Sequence, residues 1–545
     1  MQLRLLAAAT ALFTILPACR STSEWRAESD REAYALVESR RARLGIEDGP
    51  FTIEAEASAL RADIEGGRVT LDEPQTLVQV LEIAASNSRE FQRQKERLYV
   101  AALDLTLERW RFAIQKGGTL NALVGGTGDE AETASAGGGF SLAKVLGTGA
   151  TIVGSLGLNL TRSLISSDGW HPQSDVSLSI TQPLMAGFGE RIVKEPLTQA
   201  ERDLVYQVRA FERFRRTFAF DVASRYYRLL QLEDSVKNQE NNVTNLEQLS
   251  ERNRALAEAG RLSDIELGQA RQTELRSQND LLTARQRLSD SRDQFKLFLG
   301  LPITSEVPLD PSALAALESD QDAGIDFDED AATRFALQNR LDHQTVLDRI
   351  DDADRRVLVA EDNLRSILTL DADARLASAD GKPLKFDASD ATWSVGATLS
   401  LPFERLPQRN SYRAAIIARA ESGRAAVESE DQIRTDLRGD LRAAANRRDS
   451  YVIQKSAVDL AERRIESTRL KLDAGRADTR DLLEAQDSLL QAQNAVTSAR
   501  IEYTLSRLNL FLDMELLTVD SNGIRLESQR LQEFATEAMA PEDGS

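Results

Sequence analysis

Apolar residues recur at helical spacing in six long stretches of the chain that contain almost no proline. The stretches are residues 72–116, 190–258, 263–299, 331–365, 408–473 and 477–517. Apolar positions at steps of three and four residues predict amphipathic helices. The only prolines in them, Pro74 and Pro196, lie in the opening turns, where proline is tolerated. The pattern therefore predicts a mostly α-helical protein with long helices.

Between these stretches, shorter segments alternate apolar residues with small or polar ones. The segments are Ile152–Leu160, Asp175–Leu184, Leu368–Leu376 and Thr392–Leu401. This period of two predicts β-strands with one apolar face. Strands of about ten residues with such a face are typical of a transmembrane barrel, although a soluble sheet uses the same alternation. The glycine-rich region 117–149 predicts a strand near 119–125, a loop and a further hairpin.

A segment that begins at Ala259 matches one that begins at Ala474 without gaps, at a constant offset. Gly260 and Arg261 correspond to Gly475 and Arg476, within a shared Ala-Gly-Arg tripeptide. Small and apolar residues then follow at alternating steps of three and four over 482–510, which is the period of coiled-coil packing. Because glycine accepts the left-handed conformation that ends a helix, we expect each copy to be a long helical hairpin that turns at its glycine.

The amino terminus combines a short positive region with an apolar stretch that ends at the only cysteine. Arg4 precedes the apolar residues 5–18, which are too few to span a bilayer comfortably. The residues Leu-Pro-Ala before Cys19 resemble a bacterial lipobox, which predicts a signal peptide at 1–18 and acylation of Cys19. An ordinary signal peptide in which this cysteine has no role remains the alternative. By analogy with other lipoproteins, Arg20 favours the outer membrane.

Composition argues against several classes of function. Lys and Arg number 67 and Asp and Glu 87, so the net charge of −20 argues against a nucleic-acid-binding protein. One Cys and two His nearly exclude a zinc site or a disulfide framework. The sequence also has no nucleophile elbow, P-loop or cluster of metal ligands. We therefore predict a protein that is not an enzyme, with no catalytic residue, metal or cofactor.

The order of elements, from lipobox to strands, long helix, glycine turn and returning helix, resembles the TolC-type outer-membrane efflux protein family. The resemblance covers nearly all of residues 70–520 and is most specific in SLSITQPLMAGFGE at 177–190, AGRLSDIELGQA at 259–270 and AGRADTRDLLEAQDSLLQAQNA at 474–495. It implies a homotrimer in which each protomer gives four strands to one twelve-stranded transmembrane β-barrel. Twelve helices would continue this barrel as a long periplasmic α-helical barrel.

The resemblance also implies a domain order and a set of partners. A lipid-anchored helical extension at 19–68 would precede a first repeat at 69–304, an acidic linker at 305–330, a second repeat at 331–520 and a tail at 521–545. The protein would lie in the bacterial outer membrane, extend into the periplasm and conduct substrates passively. Its partners would be outer-membrane lipid, a periplasmic adaptor protein and an inner-membrane pump of the RND or ABC type.

Family members carry carboxylates near the hairpin tips, around a constricted periplasmic aperture. The positions six and nine residues after the second tip glycine are Asp481 and Glu484, and Glu266 lies six residues after the first. Three copies of these acids around one axis would repel each other and attract cations. The alternative interpretation is that they are solvated helix charges.

The tip residues themselves are candidates for adaptor docking. They are Gly260, Arg261, Gly475 and Arg476, although the two arginines would serve equally as solvated charges at helix ends. A competing hypothesis for the whole chain is a periplasmic lipid-anchored coiled-coil scaffold or adaptor protein. An adaptor normally has one hairpin beside a lipoyl-like domain, whereas two hairpins alternate with two groups of strands here.

Overall fold

The computed structural model describes residues 20–44, 50–54, 57–127, 130–164, 169–319, 328–520, 523–527, 529–530 and 533–534. Within these ranges the protein is mostly helical, as predicted, and contains one large and one small antiparallel sheet. The helices are α1 Thr22–Arg43, α2 Ala57–Glu65, α3 Leu77–Asn87, α4 Arg89–Phe112, α5 Glu190–Val193, α6 Glu195–Glu258, α7 Asp264–Leu299, α8 Ser312–Ser319, α9 Glu329–Asn339, α10 Leu341–Asp362, α11 Leu406–Asp473 and α12 Thr479–Asp513.

The strands of the large sheet follow one another in chain order, each antiparallel to the next. They are β1 Gln115–Thr127, β2 Glu130–Val145, β3 Thr151–Ser163, β4 His171–Pro183, β5 Ile367–Ala377 and β6 Thr392–Ser400. A small second sheet pairs β7 Leu517–Asp520 with β8 Gly523–Leu526.

The chain divides into two compact units. The sheet unit comprises residues 1–51, 97–208 and 345–426 and contains the large sheet. The hairpin unit comprises residues 52–96, 209–344 and 427–545 and contains both hairpin turns. Helices α6 and α11 contribute residues to both units.

The two faces of the large sheet differ sharply in polarity. The register places even-numbered residues of β1–β5 and odd-numbered residues of β6 on one face. Large hydrophobic side chains are exposed on this face, namely Leu120, Phe140, Leu142, Leu156, Leu158, Val176, Leu178, Leu370, Trp393, Val395 and Leu399. The opposite face carries mostly Ser, Thr, Asn, Asp and Gly. The predicted alternation at 152–160, 175–184, 368–376 and 392–401 is therefore confirmed.

The expectation of four strands in each protomer is wrong. The large sheet contains six strands within the described residues, because residues 115–145 form β1 and β2 ahead of the four expected from the alternation. Strand β2 is hard to recognise in the sequence because it carries three successive glycines at 137–139 among Ala, Ser and Thr. These residues give almost no apolar alternation.

The long helices occur where the apolar periodicity predicts them, with three interruptions, one of which is Lys194 between α5 and α6. The predicted helix at 72–116 is divided at Ser88, and the one at 331–365 is divided at Arg340. Both residues have extended backbone, with φ −66° and ψ 127° at Ser88 and φ −63° and ψ 119° at Arg340. Within the described ranges, no helix combines the length and apolarity that a membrane span requires.

A cluster of phenylalanines lies in the core of the hairpin unit. The ring of Phe91 is 5.8 Å from that of Phe211 and 5.3 Å from that of Phe218. Phe218 in turn stacks on Phe298 at 5.4 Å. The cluster joins α4, α6 and α7, and such aromatic pairs contribute about 1 kcal/mol each beyond the burial of their area.

The predicted amino-terminal extension and the predicted acidic linker each contain at least one helix. In the sheet unit, Tyr99 donates a hydrogen bond of 2.7 Å to Asp30 of helix α1, which belongs to the predicted extension. In the hairpin unit, the acidic segment predicted as a linker contains the Ala- and Leu-rich helix α8, and Leu309 forms a β-bridge with Gln75. Residues 1–19, which include the predicted signal peptide and Cys19, lie outside the described residues.

Candidate functional site

Both hairpins turn through a glycine in the left-handed conformation, with φ 69° at Gly260 and 67° at Gly475. At each tip, the amide of the following arginine returns to a carbonyl five residues back. Arg261 N donates to Leu256 O at 2.9 Å, and Arg476 N donates to Lys471 O at 2.8 Å. This is the Schellman pattern that ends a helix. No atom lies within 4 Å of a Cβ placed on either glycine, so the backbone conformation alone requires glycine.

Two of the three predicted aperture carboxylates cap the returning helices. Glu266 Oε2 accepts hydrogen bonds from the amide and the hydroxyl of Ser263, at 3.2 and 2.8 Å. Asp481 Oδ2 accepts one from the amide of Asp478 at 3.2 Å. Both pairs are capping boxes, which satisfy amides that a helix start leaves free. The Ser-x-x-Glu signature at 263–266 is readable in the sequence, but the sequence reasoning missed it.

The third predicted carboxylate, Glu484, faces solvent beside an arginine of its own hairpin. Its Oε1 lies 3.0 Å from Nη2 of Arg464, and both side chains are about half exposed. Exposed ion pairs of this kind contribute roughly 0–1 kcal/mol. The pair therefore leaves Glu484 available to solvent ions and partners.

The two tips differ in the basic side chains beside the turn. At the second tip, Arg463, Lys471 and Arg476 line a shallow depression of about 410 Å³ together with Glu466 and the exposed Leu470. At the first tip, the positions that correspond to Arg463 and Lys471 are Gln248 and Leu256. Arg261 and Arg476 are exposed, and neither guanidinium has an ion pair with any described residue. The second tip therefore suits a partner with carboxylates and an apolar side chain.

Polar contacts that were not predicted join the two hairpins close to their tips. The side chain of Asn253 donates a 3.3 Å hydrogen bond to the hydroxyl of Thr479, and both residues are almost fully buried. Arg252 and Asp473 form an exposed ion pair at 2.8 Å. No signal in a single sequence shows that these residues meet, because the members of each pair belong to different hairpins and lie far apart in the chain.

Between α7 and α12 a polar groove of about 420 Å³ passes Glu484. Its charged lining residues besides Glu484 are Arg276, Asp280, Arg480 and Asp487. The described residues contain no group of three or more His, Cys, Asp or Glu side chains that could hold a metal ion. The groove therefore offers paired charges to a partner surface.

Comparison with known proteins finds a family model that matches part of the chain and solved structures that share its fold. Residues 151–301 match the family described as outer membrane efflux protein. This range begins at β3 and ends just after α7, so it includes the whole first hairpin. The predicted resemblance to the outer-membrane efflux family is confirmed. No curated protein sequence matches the chain.

Solved structures of outer-membrane channels share the fold at low sequence identity. The outer-membrane protein VceC of Vibrio cholerae is 15% identical, with a TM-score of 0.57 over 80% of this chain and 95% of VceC. The CmeC channel of Campylobacter jejuni is 14% identical, with a TM-score of 0.58 over 84% of this chain and 89% of CmeC. The open-state MtrE channel of Neisseria gonorrhoeae is also 14% identical, with a TM-score of 0.58 over 80% of this chain and 88% of MtrE.

Proposed function

We propose that this protein is the outer-membrane duct of a tripartite efflux or type I secretion system. It conducts substrates passively from an inner-membrane pump and a periplasmic adaptor protein to the exterior. The main support for the proposal is that the sheet has one exposed apolar face and that the same chain forms two long helical hairpins. The family match over residues 151–301 supports it.

The apolar face of the sheet suits lipid. Leu120 is 72% exposed and Trp393 78% exposed, at opposite edges of the sheet, and large apolar side chains lie on the strands between them. Contiguous apolar patches of this extent are rare on soluble monomers. The other face, rich in hydroxyls and carboxylates, suits a water-filled lumen, and this alternation is that of outer-membrane strands.

The hairpins suit a helical barrel formed by several copies. The two helices are 64 and 36 residues long in the first hairpin and 68 and 35 residues long in the second. Three copies would place twelve such helices side by side, with the seam of small and apolar residues between them. In this arrangement the sheet lies in the outer membrane, acylated Cys19 adds a lipid anchor, and the helices extend into the periplasm.

The tip carboxylates would then form the periplasmic aperture. Asp481 and Glu484 from three copies would give six negative charges around one axis, with Glu266 nearby. The hydrogen bond from the amide of Asp478 reaches Oδ2 of Asp481, and the Asp481 side chain remains exposed. Capping and cation attraction are therefore compatible roles for one side chain. The arginines at the tips, with the basic depression around Arg476, would receive the adaptor or a neighbouring tip.

Conductance of the purified protein in planar lipid bilayers tests this proposal. We expect pores that prefer cations, because charged clefts concentrate ions of opposite sign. The double substitution of Asp481→Asn and Glu484→Gln should lower the cation-to-anion permeability ratio about two- to threefold, while the Asn side chain keeps the capping acceptor. Asp431→Asn, an exposed residue of α11 far from the tip in sequence, is the matched control.

Two outcomes would contradict parts of the proposal. Unchanged selectivity in the double variant would remove Asp481 and Glu484 from the aperture. Wild-type protein that forms no pores and leaves membranes once its lipid is removed would overturn the duct itself and favour the periplasmic scaffold or adaptor protein.

A further inference from the structure

In each half of the chain, a short helix precedes the hairpin tip. The number of residues between that helix and the tip differs between the two halves. In the first half, α3 begins at Leu77 and the tip glycine is Gly260, whereas in the second half the equivalent α9 begins at Glu329 and the tip glycine is Gly475. The first of these intervals is the longer, and its surplus matches the extent of β1, β2 and their turns. The first half therefore contributes four strands and the second half two.

The β-hairpin formed by β1 and β2 is an integral part of the large sheet. Strand β2 pairs with β3 continuously from Thr133 to Val145. A Cβ on Gly137 would lie 2.5 Å from Oδ1 of Asn159 in β3 and 2.8 Å from Oδ1 of Asn121 in β1. The glycine thus makes room for side chains from both neighbours. On the other face, the Leu120 side chain lies over Gly138 in the same way.

The outer edges of the sheet are β1 and β6. Neither has a second partner strand among the described residues, and every residue of β6 is exposed. Lipid cannot satisfy the amides and carbonyls of an open edge. Six strands are also too few to close on themselves, since the smallest transmembrane barrels have eight. A sheet that spans the membrane must therefore pair its edges with those of further copies.

We propose that three copies close a barrel of eighteen strands, in which β1 of each copy pairs with β6 of the next. The inference rests on the proposed function, and it replaces the twelve-stranded barrel that the family resemblance implies. An even number of strands in each copy makes β1 and the neighbouring β6 antiparallel, so the meander continues around the whole barrel. No strand of the sheet would need to leave its present partner.

The larger barrel has a functional consequence. Barrel diameter grows roughly linearly with strand number, so eighteen strands give a lumen about one and a half times as wide as twelve. Barrels of 16–18 strands leave an open aqueous channel. In such a protein the outer-membrane segment passes bulky solutes, and any limit on cargo size lies elsewhere along the duct.

Disulfide crosslinking in native outer membranes tests which strand meets β6 of the neighbour. One variant set carries Thr398→Cys in β6 together with Thr119→Cys, Asn121→Cys or Leu123→Cys in β1, all on the polar face. The matched control combines Thr398→Cys with Ser155→Cys in β3, also on the polar face. A disulfide needs Cβ atoms about 3.8 Å apart, so only residues on directly paired strands can be linked. Cys19 stays unchanged in every variant.

We expect covalent dimers and trimers on denaturing gels from at least one β1 and β6 pair, and none from the β3 and β6 pair. Trimers linked through β3 and β6 would overturn the eighteen-stranded barrel and leave the duct intact, because β3 becomes the edge only if β1 and β2 are absent from the barrel. Protein that is monomeric in detergent and never crosslinks would overturn the proposed function as well.

Discussion

The two helical hairpins turn alike at their tips but end differently. At equivalent positions after the two tip glycines, the returning helix stops at a residue with positive φ, which is 77° at Gly300 and 62° at Glu515. The closing hydrogen bonds are the same, from Leu301 N to Lys296 O at 2.9 Å and from Leu516 N to Phe511 O at 2.8 Å. The two helix ends therefore have the same backbone conformation, and they differ in the residues that surround them.

At the first hairpin another backbone segment occupies the space beside the turn. A Cβ on Gly300 would lie 2.1 Å from the carbonyl oxygen of Asn87, where α3 ends. At the second hairpin that space admits the buried side chain of Glu515, which forms ion pairs with Arg213 at 2.8 Å and Arg216 at 2.9 Å. One end is therefore fixed by close backbone packing and the other by buried charge.

A second pair of equivalent positions shows the same divergence. In the first hairpin, Arg225 stacks 4.3 Å from the ring centre of Phe298. The second hairpin has Asp440 and Asp513 at the same offsets from its tip glycine, and Asn509 donates to both carboxylates at 3.0 and 3.4 Å. Where the first hairpin has a cation over an aromatic ring, the second hairpin has two neighbouring acids. At these two positions the second hairpin therefore carries carboxylates that titrate, whereas the first carries none.

The largest expected effect comes from Gly300→Ala. The added methyl group collides with the Asn87 carbonyl, which belongs to the backbone and cannot move aside easily. Together with the strain of positive φ, this should lower the free energy of unfolding by about 4 kcal/mol. Guanidinium denaturation of the detergent-solubilised protein measures it.

Gly475→Ala is the matched control, because its φ is 67° and no atom lies within 4 Å of the added Cβ. Only the conformational cost remains there, which is about 1 kcal/mol. Equal losses in the two variants would show that the contact with Asn87 does not decide the need for glycine at 300.

The next effect concerns the charged end of the second hairpin. The Glu515 side chain is buried, and its two carboxylate oxygens pair with different arginines, Oε2 with Arg213 and Oε1 with Arg216. Glu515→Gln keeps the shape but leaves two part-buried guanidinium groups without this partner, so the free energy of unfolding at pH 7 should fall by about 3 kcal/mol.

Glu484→Gln removes a carboxylate from an exposed ion pair and serves as the control, with an expected loss of less than about 1 kcal/mol. If the two substitutions cost the same, the buried cluster does not stabilise the turn. Glu515→Gly would then isolate the conformational strain, because it removes the side chain and permits positive φ.

The sequence predicts the periodic parts of this molecule and misses the parts set by contacts distant in the chain. The strict alternation in β6 and the uninterrupted helical period of α11 identify both elements, because each presents one continuous face. The three glycines of β2 carry no such pattern. The role of Gly137 as space for Asn121 and Asn159 is visible only when three strands are paired.

The same limit applies to the candidate site. Tip glycines and carboxylates can be located by counting from the repeated tripeptide, and the capping boxes at Ser263 and Asp478 are local signals. The contact of Gly300 with Asn87 and the pairing of Glu515 with Arg213 are not local, since the partners lie in distant parts of the chain. Nothing in the composition around either residue indicates its partner.

The smallest expected effect distinguishes the hairpins by pH. Burial raises the pKa of Asp440 to about 7, and the nearby carboxylate of Asp513 adds to the rise. An acid whose pKa is higher in the folded state than in the unfolded state binds more protons when folded. The contribution of Asp440 to stability therefore falls as the pH rises from about 4 to 7. Asp440→Asn removes this penalty and should raise the free energy of unfolding by about 2 kcal/mol at pH 8 and by almost nothing at pH 4.

Denaturant midpoints of the wild type and Asp440→Asn across pH 4–8 measure this difference, with Asp459→Asn on the exposed surface of the same helix as the control. The gain should develop mainly between pH 4 and 7, because only there do the folded and unfolded states differ in protonation at residue 440. A constant gain at every pH would show that Asn packs better than Asp for reasons unrelated to charge. The contrast with the Arg225–Phe298 pair of the first hairpin would then be one of packing alone.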